Sequence, residues 1–280
     1  MKNGRRIAAM VLALGMILGL TACAGNSAGG EKFTLTVAME CAYAPYNWAQ
    51  TDDSNGAVPI KGSNLYANGY DVMTAKAISE KYGWDLEIIQ SDWDSLIPAV
   101  MTGTVDAVIA GQSMTAERME SVDFAGPYLY ATIVCLAKKD SKYASAKGIS
   151  DLAGGSCTSQ SGTIWYDSCL PQIEGADIKA PAANAPDMLM AVASGTVDFV
   201  CTDMPTAQGA ILAYPELVIL DFAGSGDDFD VSEEEINIGI SVRKGNTDLL
   251  NKINAYFEGK TADDFNALME EAIRIAPFED

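Results

Sequence analysis

The sequence predicts an α/β fold made of two similar lobes that share one cleft. The tetrapeptide Gly-Thr-Val-Asp occurs twice, at Gly103–Asp106 and at Gly195–Asp198, with an offset of 92 residues. Each copy follows an apolar helix-like stretch and precedes a short apolar run, which indicates a helix, a glycine stop and a buried strand. The same offset pairs Gly111 with Asp203, just beyond the two strands. Because ligands bind beyond the carboxyl ends of strands in open α/β sheets, both residues are expected to face a shared cleft. Chance similarity between two helix–strand units is the alternative.

Hydrophobic periodicity and turn residues predict the other elements in chain order. The predicted strands are Phe33–Met39, Leu86–Ile89, Val105–Ala110, Thr132–Ala137, Ser156–Ser159, Glu216–Leu220 and Ile236–Val242. The predicted helices outside the second repeat copy are Asp71–Tyr82, Ser95–Thr102, Ser161–Cys169, Thr247–Phe257 and Ala262–Ile273. Gly83 ends the first of these helices, and Pro98 is expected in the first turn of the second. Tyr43–Asn68, rich in Asn, Gly and Pro, is expected to be an irregular loop. The β/α alternation predicts mostly parallel sheets.

The N-terminus carries a targeting signal. Three basic residues precede an apolar stretch, Ile7–Leu20, which is only 14 residues long and too short for a typical membrane span. The following Leu-Thr-Ala-Cys, which ends at Cys23, resembles the lipobox of bacterial lipoproteins. This resemblance implies cleavage after residue 22, a diacylglycerol thioether on Cys23 and a flexible tether over residues 23–32. The mature protein is then anchored outside the cytoplasm and does not span the membrane. An ordinary secretory signal with an incidental Cys23 is the alternative.

Composition narrows the range of functions. Removing the first 22 residues leaves 258 residues, enough for two lobes of ordinary size, and changes the net charge from −20 to −23. Such a surface repels phosphate backbones, so nucleic acid is not expected as a partner. The acidic runs at 227–230 and 233–235 lack the ligand spacing of a calcium loop and are expected to be a solvated loop. The chain has no histidine, which excludes Ser-His-Asp and Cys-His catalysis.

Cysteine usage suggests neither a metal site nor a cofactor. Five cysteines remain beside Cys23, with no Cys-x-x-Cys, and their spacing does not suggest a sulfur-only metal cluster. The spacing allows a Cys157–Cys169 disulfide. Buried free thiols are the alternative, because Cys135 and Cys201 lie inside apolar strand-like runs.

Several short motifs together carry a resemblance to one family. They are Tyr43-Ala44-Pro45-Tyr46, Gly69-Tyr70-Asp71-Val72, Asp92-Trp93-Asp94-Ser95-Leu96, Ser113-Met114-Thr115 with Arg118, and Asp123-Phe124. The chain resembles the polar amino-acid solute-binding proteins of ABC importers from about Phe33 to Ile273.

The resemblance implies the type II periplasmic-binding-protein fold, in which two α/β lobes are joined by two crossover strands with a ligand cleft between them. It implies lobe 1 over residues 33–129 and 240–280 and lobe 2 over residues 130–239. The crossings are expected near Leu129–Ala131 and Ile236–Ile240. The long insert between Trp48 and Asn68 departs from the family pattern.

The resemblance also implies residues that hold the carboxylate of a free amino acid, whose two charged ends must both be paired on burial. Arg118 offers a planar two-pronged donor for the carboxylate. Ser113 adds a hydroxyl and a backbone donor. Thr163 and the Gly162 backbone approach the same anion from the other lobe, at a helix N-terminus. The alternatives are a surface arginine at position 118 and helix-capping roles for Ser113 and Thr163.

The resemblance implies other residues that contact the ligand ammonium and the ligand side chain. Asp203 is similar to the family aspartate that takes the ammonium, with the Gly111 carbonyl opposite; a simple turn residue is the alternative. Tyr43 and Trp93 lie where relatives place apolar or aromatic contacts to the ligand side chain, and Glu40 lies where many have an acidic group. Two aromatic faces and a carboxylate suit a flat or cationic side chain. Core packing for Trp93 and a solvated loop edge for Glu40 are the alternatives.

Three functions are consistent with these features. The first is a monomeric binding protein that captures a free amino acid by lobe closure and delivers it to the permease of an ABC importer. The second is an enzyme similar to cyclohexadienyl dehydratases, in which Glu40 would be the general acid. The third is a ligand sensor that presents its closed form to a receptor. The lipobox and the importer-like layout favour the first function, for which no catalytic residue or cofactor is assigned.

Overall fold

The computed structural model describes residues 32–277, which form fourteen strands and eight α-helices. The strands are β1 (Thr34–Met39), β2 (Ala42–Tyr43), β3 (Asn47–Gln50), β4 (Val58–Pro59), β5 (Tyr66–Asn68), β6 (Asp85–Gln90), β7 (Ala107–Val108), β8 (Val122–Tyr130), β9 (Ile133–Lys138), β10 (Ser156–Thr158), β11 (Asp177–Ile178), β12 (Phe199–Asp203), β13 (Leu217–Leu220) and β14 (Asn237–Arg243). The helices are α1 (Tyr70–Tyr82), α2 (Trp93–Thr102), α3 (Ala116–Ser121), α4 (Ala185–Ala193), α5 (Met204–Ala213), α6 (Glu233–Ile236), α7 (Thr247–Phe257) and α8 (Ala262–Ile275).

Two five-stranded sheets of the same design organise these elements. The first has the order β6-β1-β7-β14-β8 and the second the order β11-β10-β12-β9-β13. In each sheet two pairings are parallel and two are antiparallel. The expectation of mostly parallel sheets was therefore wrong, because the strands on either side of each crossing pair antiparallel to their neighbours. We call the elements around the first sheet lobe 1 and those around the second sheet lobe 2.

The chain passes between the lobes twice, from β8 to β9 and from β13 to β14. The first passage lies between Tyr130 and Ile133, beside the expected Leu129–Ala131, and the second runs from Leu220 to Asn237, so the expected Ile236–Ile240 falls at its end. The boundaries predicted for the two lobes, 33–129 with 240–280 and 130–239, stay a prediction.

The Gly-Thr-Val-Asp repeat has the same structure in both lobes. Each copy ends a helix at a glycine, with φ of +75° at Gly103 and +78° at Gly195. The aspartate then ties its strand to the neighbouring parallel strand. Asp106 accepts hydrogen bonds from the backbone N–H and hydroxyl of Thr36, at 2.9 and 2.6 Å. Asp198 accepts the same two bonds from Ser156, both at 2.8 Å. The two copies are therefore structurally equivalent helix–strand units.

The region predicted as an irregular loop, Tyr43–Asn68, contains a small antiparallel sheet. Its order is β2-β3-β5-β4, so the long insert after Trp48 closes back on lobe 1. The strands are two to four residues long and are interrupted by Gly and Pro, which hid them from a search for periodicity.

The helix predictions differ from the structure in detail. α1, α7 and α8 begin and end within two residues of the predicted bounds. α2 begins at Trp93, so Pro98 is its sixth residue and not a first-turn residue. The run 233–235, expected in a loop, forms α6 with a Ser232–Glu235 capping box. The strand predicted over Val105–Ala110 is reduced to β7, and Ser161–Cys169 contains only a short π-helical turn over Trp165–Cys169.

The five cysteines of the described chain are buried free thiols, Cys41, Cys135, Cys157, Cys169 and Cys201. The Cys157–Cys169 disulfide is thus not formed. Burial raises the pKa of the Cys157 thiol to about 12, which suppresses the reactive thiolate.

The predicted signal segment, Cys23 and most of the predicted tether lie outside residues 32–277. Within those residues no helix is long and apolar enough to cross a membrane.

Candidate functional site

The Arg118 guanidinium bridges the two lobes. It projects from α3 and donates to the Ser113 carbonyl at 2.8 Å in lobe 1 and to the Gly162 carbonyl at 2.9 Å in lobe 2. It also lies over the Trp93 ring, 5.4 Å from the centroid. Burial lowers the pKa of Arg118 to about 10, so the group remains a cation at neutral pH. Arg118 is therefore a half-buried cation in the cleft and not a surface arginine.

Ser113 and Thr163 differ in whether the hydroxyl caps a helix. Thr115, and not Ser113, caps α3, because its hydroxyl accepts the Arg118 N–H at 3.3 Å. The Thr163 hydroxyl donates to the Gln160 carbonyl at 2.7 Å and accepts the Tyr166 N–H at 3.4 Å. Thr163 therefore has a capping role in this structure, whereas Ser113 does not.

Asp203 lies at the end of β12 and caps α5. Its Oδ1 accepts the Thr206 N–H at 2.9 Å, which fixes the side chain. Its Oδ2 accepts two hydroxyl hydrogen bonds from lobe 1, from Tyr43 at 3.0 Å and from Tyr46 at 2.9 Å. The residue is 1% exposed, and burial raises its pKa. Asp203 is thus a helix cap through Oδ1 and not a simple turn residue, while Oδ2 faces the opposite lobe.

Gly111 makes room for these two tyrosines. Their rings are stacked, with centroids 4.6 Å apart. Gly111 has φ of +61°, and a Cβ there would lie 2.8 Å from Tyr43 Cε1 and 3.1 Å from Tyr46 Cδ1. Only glycine fits this close approach. Gly111 and Asp203, paired by the repeat, therefore meet across the cleft through the tyrosines.

Glu40 is a buried carboxylate at the end of β1 and not a solvated loop edge. It is 6% exposed, and its Oε1 accepts a 3.3 Å hydrogen bond from Gln160 Nε2 of lobe 2. Among the described residues, its Oε2 has no hydrogen-bond partner. Burial raises the pKa of Glu40 to about 7, with a smaller contribution from Asp92.

Two cavities adjoin Arg118. The smaller one, of about 10 Å³, is lined by Tyr43, Trp93, Gly111, Ser113, Arg118, Gln160, Thr163, Ile164 and Trp165. Glu40 and Asp203 are not in its lining, but each is one hydrogen bond away from it, through Gln160 and Tyr43 respectively. The larger cavity, of about 530 Å³, is lined by Arg118, Gly162 and Thr163 together with acidic residues of both lobes. The structure thus brings six of the nine predicted residues into one pocket and places the other three beside it.

Sequence reasoning missed several members of this cluster. Gln160 and Trp165 line the pocket, and Tyr46 and Thr206 bond to Asp203. The signal for Thr206 was present, because an aspartate followed by Pro205 in the first turn is typical of a helix start. No sequence pattern marked Gln160. Within residues 32–277 no group of three metal-ligating side chains could hold a metal ion.

Comparison with known proteins identifies the family. Residues 35–272 match the model of the bacterial extracellular solute-binding proteins, family 3. The chain belongs to this family. The family places the protein outside the cytoplasm, and the type II periplasmic-binding-protein fold is confirmed.

Individual relatives agree with this placement. The chain is 32% identical over 157 residues to the arginine-binding extracellular protein ArtP of Bacillus subtilis strain 168, a match that spans 55% of each chain. It is similar to the crystal structure of the substrate-binding protein of an amino acid ABC transporter, with a TM-score of 0.70 and 26% identity over 86% of this chain and 99% of the other. It is also similar to the ancestral amino-acid-binding protein AncCDT-1, a precursor of cyclohexadienyl dehydratase, with a TM-score of 0.68 and 29% identity over 86% and 95% of the two chains.

Proposed function

We propose that this protein captures a free amino acid with a cationic or aromatic side chain outside the cytoplasm and delivers it to the permease of an ABC importer. One observation carries the proposal. Arg118 lines the smaller cavity, Asp203 is one hydrogen bond away from it through Tyr43, and each of these charged groups bonds to the opposite lobe. A zwitterion buried between the lobes needs one such group at each end.

Binding exchanges hydrogen bonds that the structure already contains. The ligand ammonium replaces the Tyr43 and Tyr46 hydroxyls on Asp203 Oδ2, because a charged donor bonds a carboxylate more strongly than a hydroxyl does. The ligand carboxylate takes guanidinium donors of Arg118. A cavity of about 10 Å³ has room for about one water molecule. The lobes must therefore separate to admit an amino acid and close again around it.

The side-chain preference rests on Glu40. Its Oε2 is buried, unpaired among the described residues, and able to accept from a ligand cation. The faces of Tyr43 and Trp93 flank the same pocket. The larger cavity is a poorer site for a ligand carboxylate, because Glu117, Asp167, Glu234 and Glu235 also line it. The similarity to ArtP, an arginine-binding protein, supports the cationic class.

A ligand panel tests this function. Thermal unfolding is followed with each of the twenty amino acids. A ligand at a hundred times its Kd stabilises the folded state by about 2.7 kcal/mol. Arginine, lysine or aromatic amino acids are expected to raise Tm, whereas aspartate and glutamate are not. The absence of a shift with all twenty overturns the proposal, and a shift with the acidic pair alone overturns the side-chain class.

A dehydratase is the second candidate, favoured by the similarity to AncCDT-1 and by Glu40. A buried carboxyl with a pKa near 7 suits a general acid at neutral pH. Turnover of arogenate or prephenate, lost in Glu40→Gln, would establish an enzyme. Binding without turnover supports the transport role, in which we assign no catalytic residue.

We further propose that the mature protein is a monomer held at the membrane by a lipid on Cys23. The lipobox sequence supports the anchor, and the two lobes supply both halves of the pocket within one chain.

A further inference from the structure

Two turns at the carboxyl ends of neighbouring strands carry the lobe 1 half of the site. Cys41 follows β1 and has φ of +54°, a left-handed conformation that residues other than glycine rarely adopt. Gly111 follows β7 and has φ of +61°. Glu40 and Tyr43 flank the first turn, and Ser113 follows the second. The conformations of these two turns therefore set the directions of the side chains that surround the ligand.

A single buried carboxylate holds both turns. Asp71 Oδ2 accepts from Asn47 Nδ2 at 2.7 Å, and Asn47 Oδ1 accepts the Cys41 N–H at 2.7 Å. Asp71 Oδ1 accepts the Tyr128 hydroxyl at 2.7 Å, and the Tyr128 oxygen accepts the Gly111 N–H at 3.2 Å. Two short chains of hydrogen bonds thus run from Asp71, one to each turn.

The direction of every bond in this network is fixed. Because Asn47 must present its oxygen to the Cys41 N–H, its amino group faces Asp71. Because the Tyr128 oxygen receives the Gly111 N–H, its hydrogen also points to Asp71. An ionised carboxylate accepts from both arms with no hydrogen of its own to place. Asn47, Asp71 and Tyr128 are fully buried, so bulk water does not substitute for these hydrogen-bond partners.

Asp71 has no direct place in the pocket. It does not line either cavity next to Arg118, and it lies in the first turn of α1. Burial raises the pKa of Asp71 to about 7, and the bonds from Tyr128 and Asn47 oppose that rise. Burying a charged group at this position costs folding free energy, which indicates a role in addition to packing.

We propose that Asp71 is a positioning residue of the ligand site, which acts through Asn47 and Tyr128 to hold the turns at Cys41 and Gly111 in their binding arrangement. This inference rests on the proposed amino-acid-binding function. It assigns the geometry of the lobe 1 half of the site to a residue that does not line the pocket.

A charge exchange between positions 47 and 71 tests the network. In Asp71→Asn alone, the new amide either points its amino group at the Asn47 amino group or turns over and loses the hydrogen bond from the Tyr128 hydroxyl. Asn47→Asp alone brings two carboxylates into contact. In the double variant, the new amide at position 71 donates to the new carboxylate at position 47, which still accepts the Cys41 N–H, and the amide oxygen still accepts from Tyr128.

We expect the affinity for L-arginine, measured by calorimetry on folded protein, to weaken about tenfold or more in each single variant, a loss of about 1.4 kcal/mol. The double variant should return to within about threefold of the parent, as an intact network predicts.

Asp106→Asn is the matched control. Asp106 ties the same two strands, β1 and β7, at the end away from the site, through Thr36. This variant should lower Tm and leave Kd unchanged. Hydrogen exchange of the Cys41 and Gly111 amides in ligand-free protein gives a second measurement. Asp71→Asn should accelerate exchange at both amides, and Tyr128→Phe at Gly111 alone.

The outcomes separate this inference from the proposed function. If Asp71→Asn lowers Tm but leaves Kd and both exchange rates unchanged, Asp71 is only structural and the inference is wrong, while the function stands. If the parent protein binds none of the amino acids, the proposed function fails along with the ligand-site role. If Asp71→Asn does not fold, Tyr128→Phe and the double variant distinguish a positioning role of Asp71 from a purely structural one. Unchanged Kd and Gly111 exchange in Tyr128→Phe, or no recovery in a folded double variant, overturn the inference.

Discussion

Replacing Glu40 with glutamine should stabilise the ligand-free protein at pH 8 while weakening its affinity for L-arginine. The Glu40 carboxyl is 6% exposed, and burial raises its pKa from 4.5 to about 7. A shift of that size corresponds to a free-energy cost for the ionised form of about 3 kcal/mol in the folded state. Because the folded-state pKa lies above the unfolded value, this cost is absent below about pH 4.5 and is fully present above about pH 7. Stability is therefore lost as the pH rises through that window, and Glu40→Gln removes the loss.

The same group makes cation binding depend on pH in the opposite sense. A ligand guanidinium beside Glu40 needs the ionised form, so protein that carries the proton must release it on binding. The affinity of the parent for L-arginine should fall roughly tenfold for each pH unit below the pKa of Glu40. Glu40→Gln should abolish that part of the slope. Because a hydrogen bond to a charged group contributes about 1.5–3 kcal/mol, the variant should bind at least about tenfold more weakly at pH 8.

Urea unfolding and calorimetry with L-arginine at pH 5.5, 7 and 8 measure both effects. Glu117→Gln is the matched control, because it makes the same change on an exposed glutamate next to Arg118 and should alter neither quantity much. Asp71 and Asp203 also have raised pKa values, so they contribute a slope that parent and variant share. The reasoning is refuted if Glu40→Gln is less stable than the parent at pH 8, or if it keeps the parent's full pH dependence of L-arginine binding.

Three further predictions concern the ligand ends and the anchor. Arg118→Ala and Asp203→Ala should each weaken amino-acid binding at least about tenfold in calorimetry, because each removes the partner of one buried ligand charge; near-native affinity in a folded variant would contradict the assignment. Glutamate and aspartate should bind far more weakly than arginine, because a second carboxylate near Glu40 is repelled in a partly desolvated cleft, and a competition experiment that ranks glutamate first would exclude this pocket chemistry. Cys23→Ser should release the protein into the medium or leave an uncleaved precursor, and unchanged membrane retention and mass would disprove lipidation.

The sequence predicts this fold well where one residue type decides the local structure. Gly83 and Gly103 end their helices in the left-handed conformation, and the strand β1 follows from the alternation of threonine with apolar residues at its start. The repeated tetrapeptide succeeds for the same reason, because each aspartate is bound by a backbone N–H and hydroxyl of the neighbouring strand. Sheet direction was wrong because pairing between strands far apart in sequence leaves no local pattern. The two-residue strands β2 and β4 are too short to show alternation.

The charged residues of the candidate site were predicted from the sequence, but their hydrogen-bond partners were not. Arg118 and Glu40 were predicted from the family resemblance, and Asp203 from the resemblance together with the repeat. What could not be read from sequence is which partner each charge has. The Tyr46 hydroxyl on Asp203 and the Gln160 amide on Glu40 join residues more than 100 positions apart and from different lobes. Such contacts depend on how the lobes meet, which no single segment encodes.

The repeat itself explains why its two equivalent turns differ. Both lobes end a buried strand at the cleft, and the offset of 92 residues places Gly111 and Asp203 at the same point of each unit. A free amino acid has no internal symmetry, because one end is an anion and the other a cation. An aspartate at both positions would place two carboxylates at the ammonium end of the ligand, which carries one positive charge there. In lobe 1 the turn carries a glycine, which leaves room for Tyr43 and Tyr46 to reach across to the other lobe. In lobe 2 the turn keeps a carboxylate whose Oδ1 is fixed by the Thr206 N–H and whose Oδ2 is left to face the cleft. The difference at this one pair of positions thus leaves a single carboxylate, Asp203, to take the ligand ammonium.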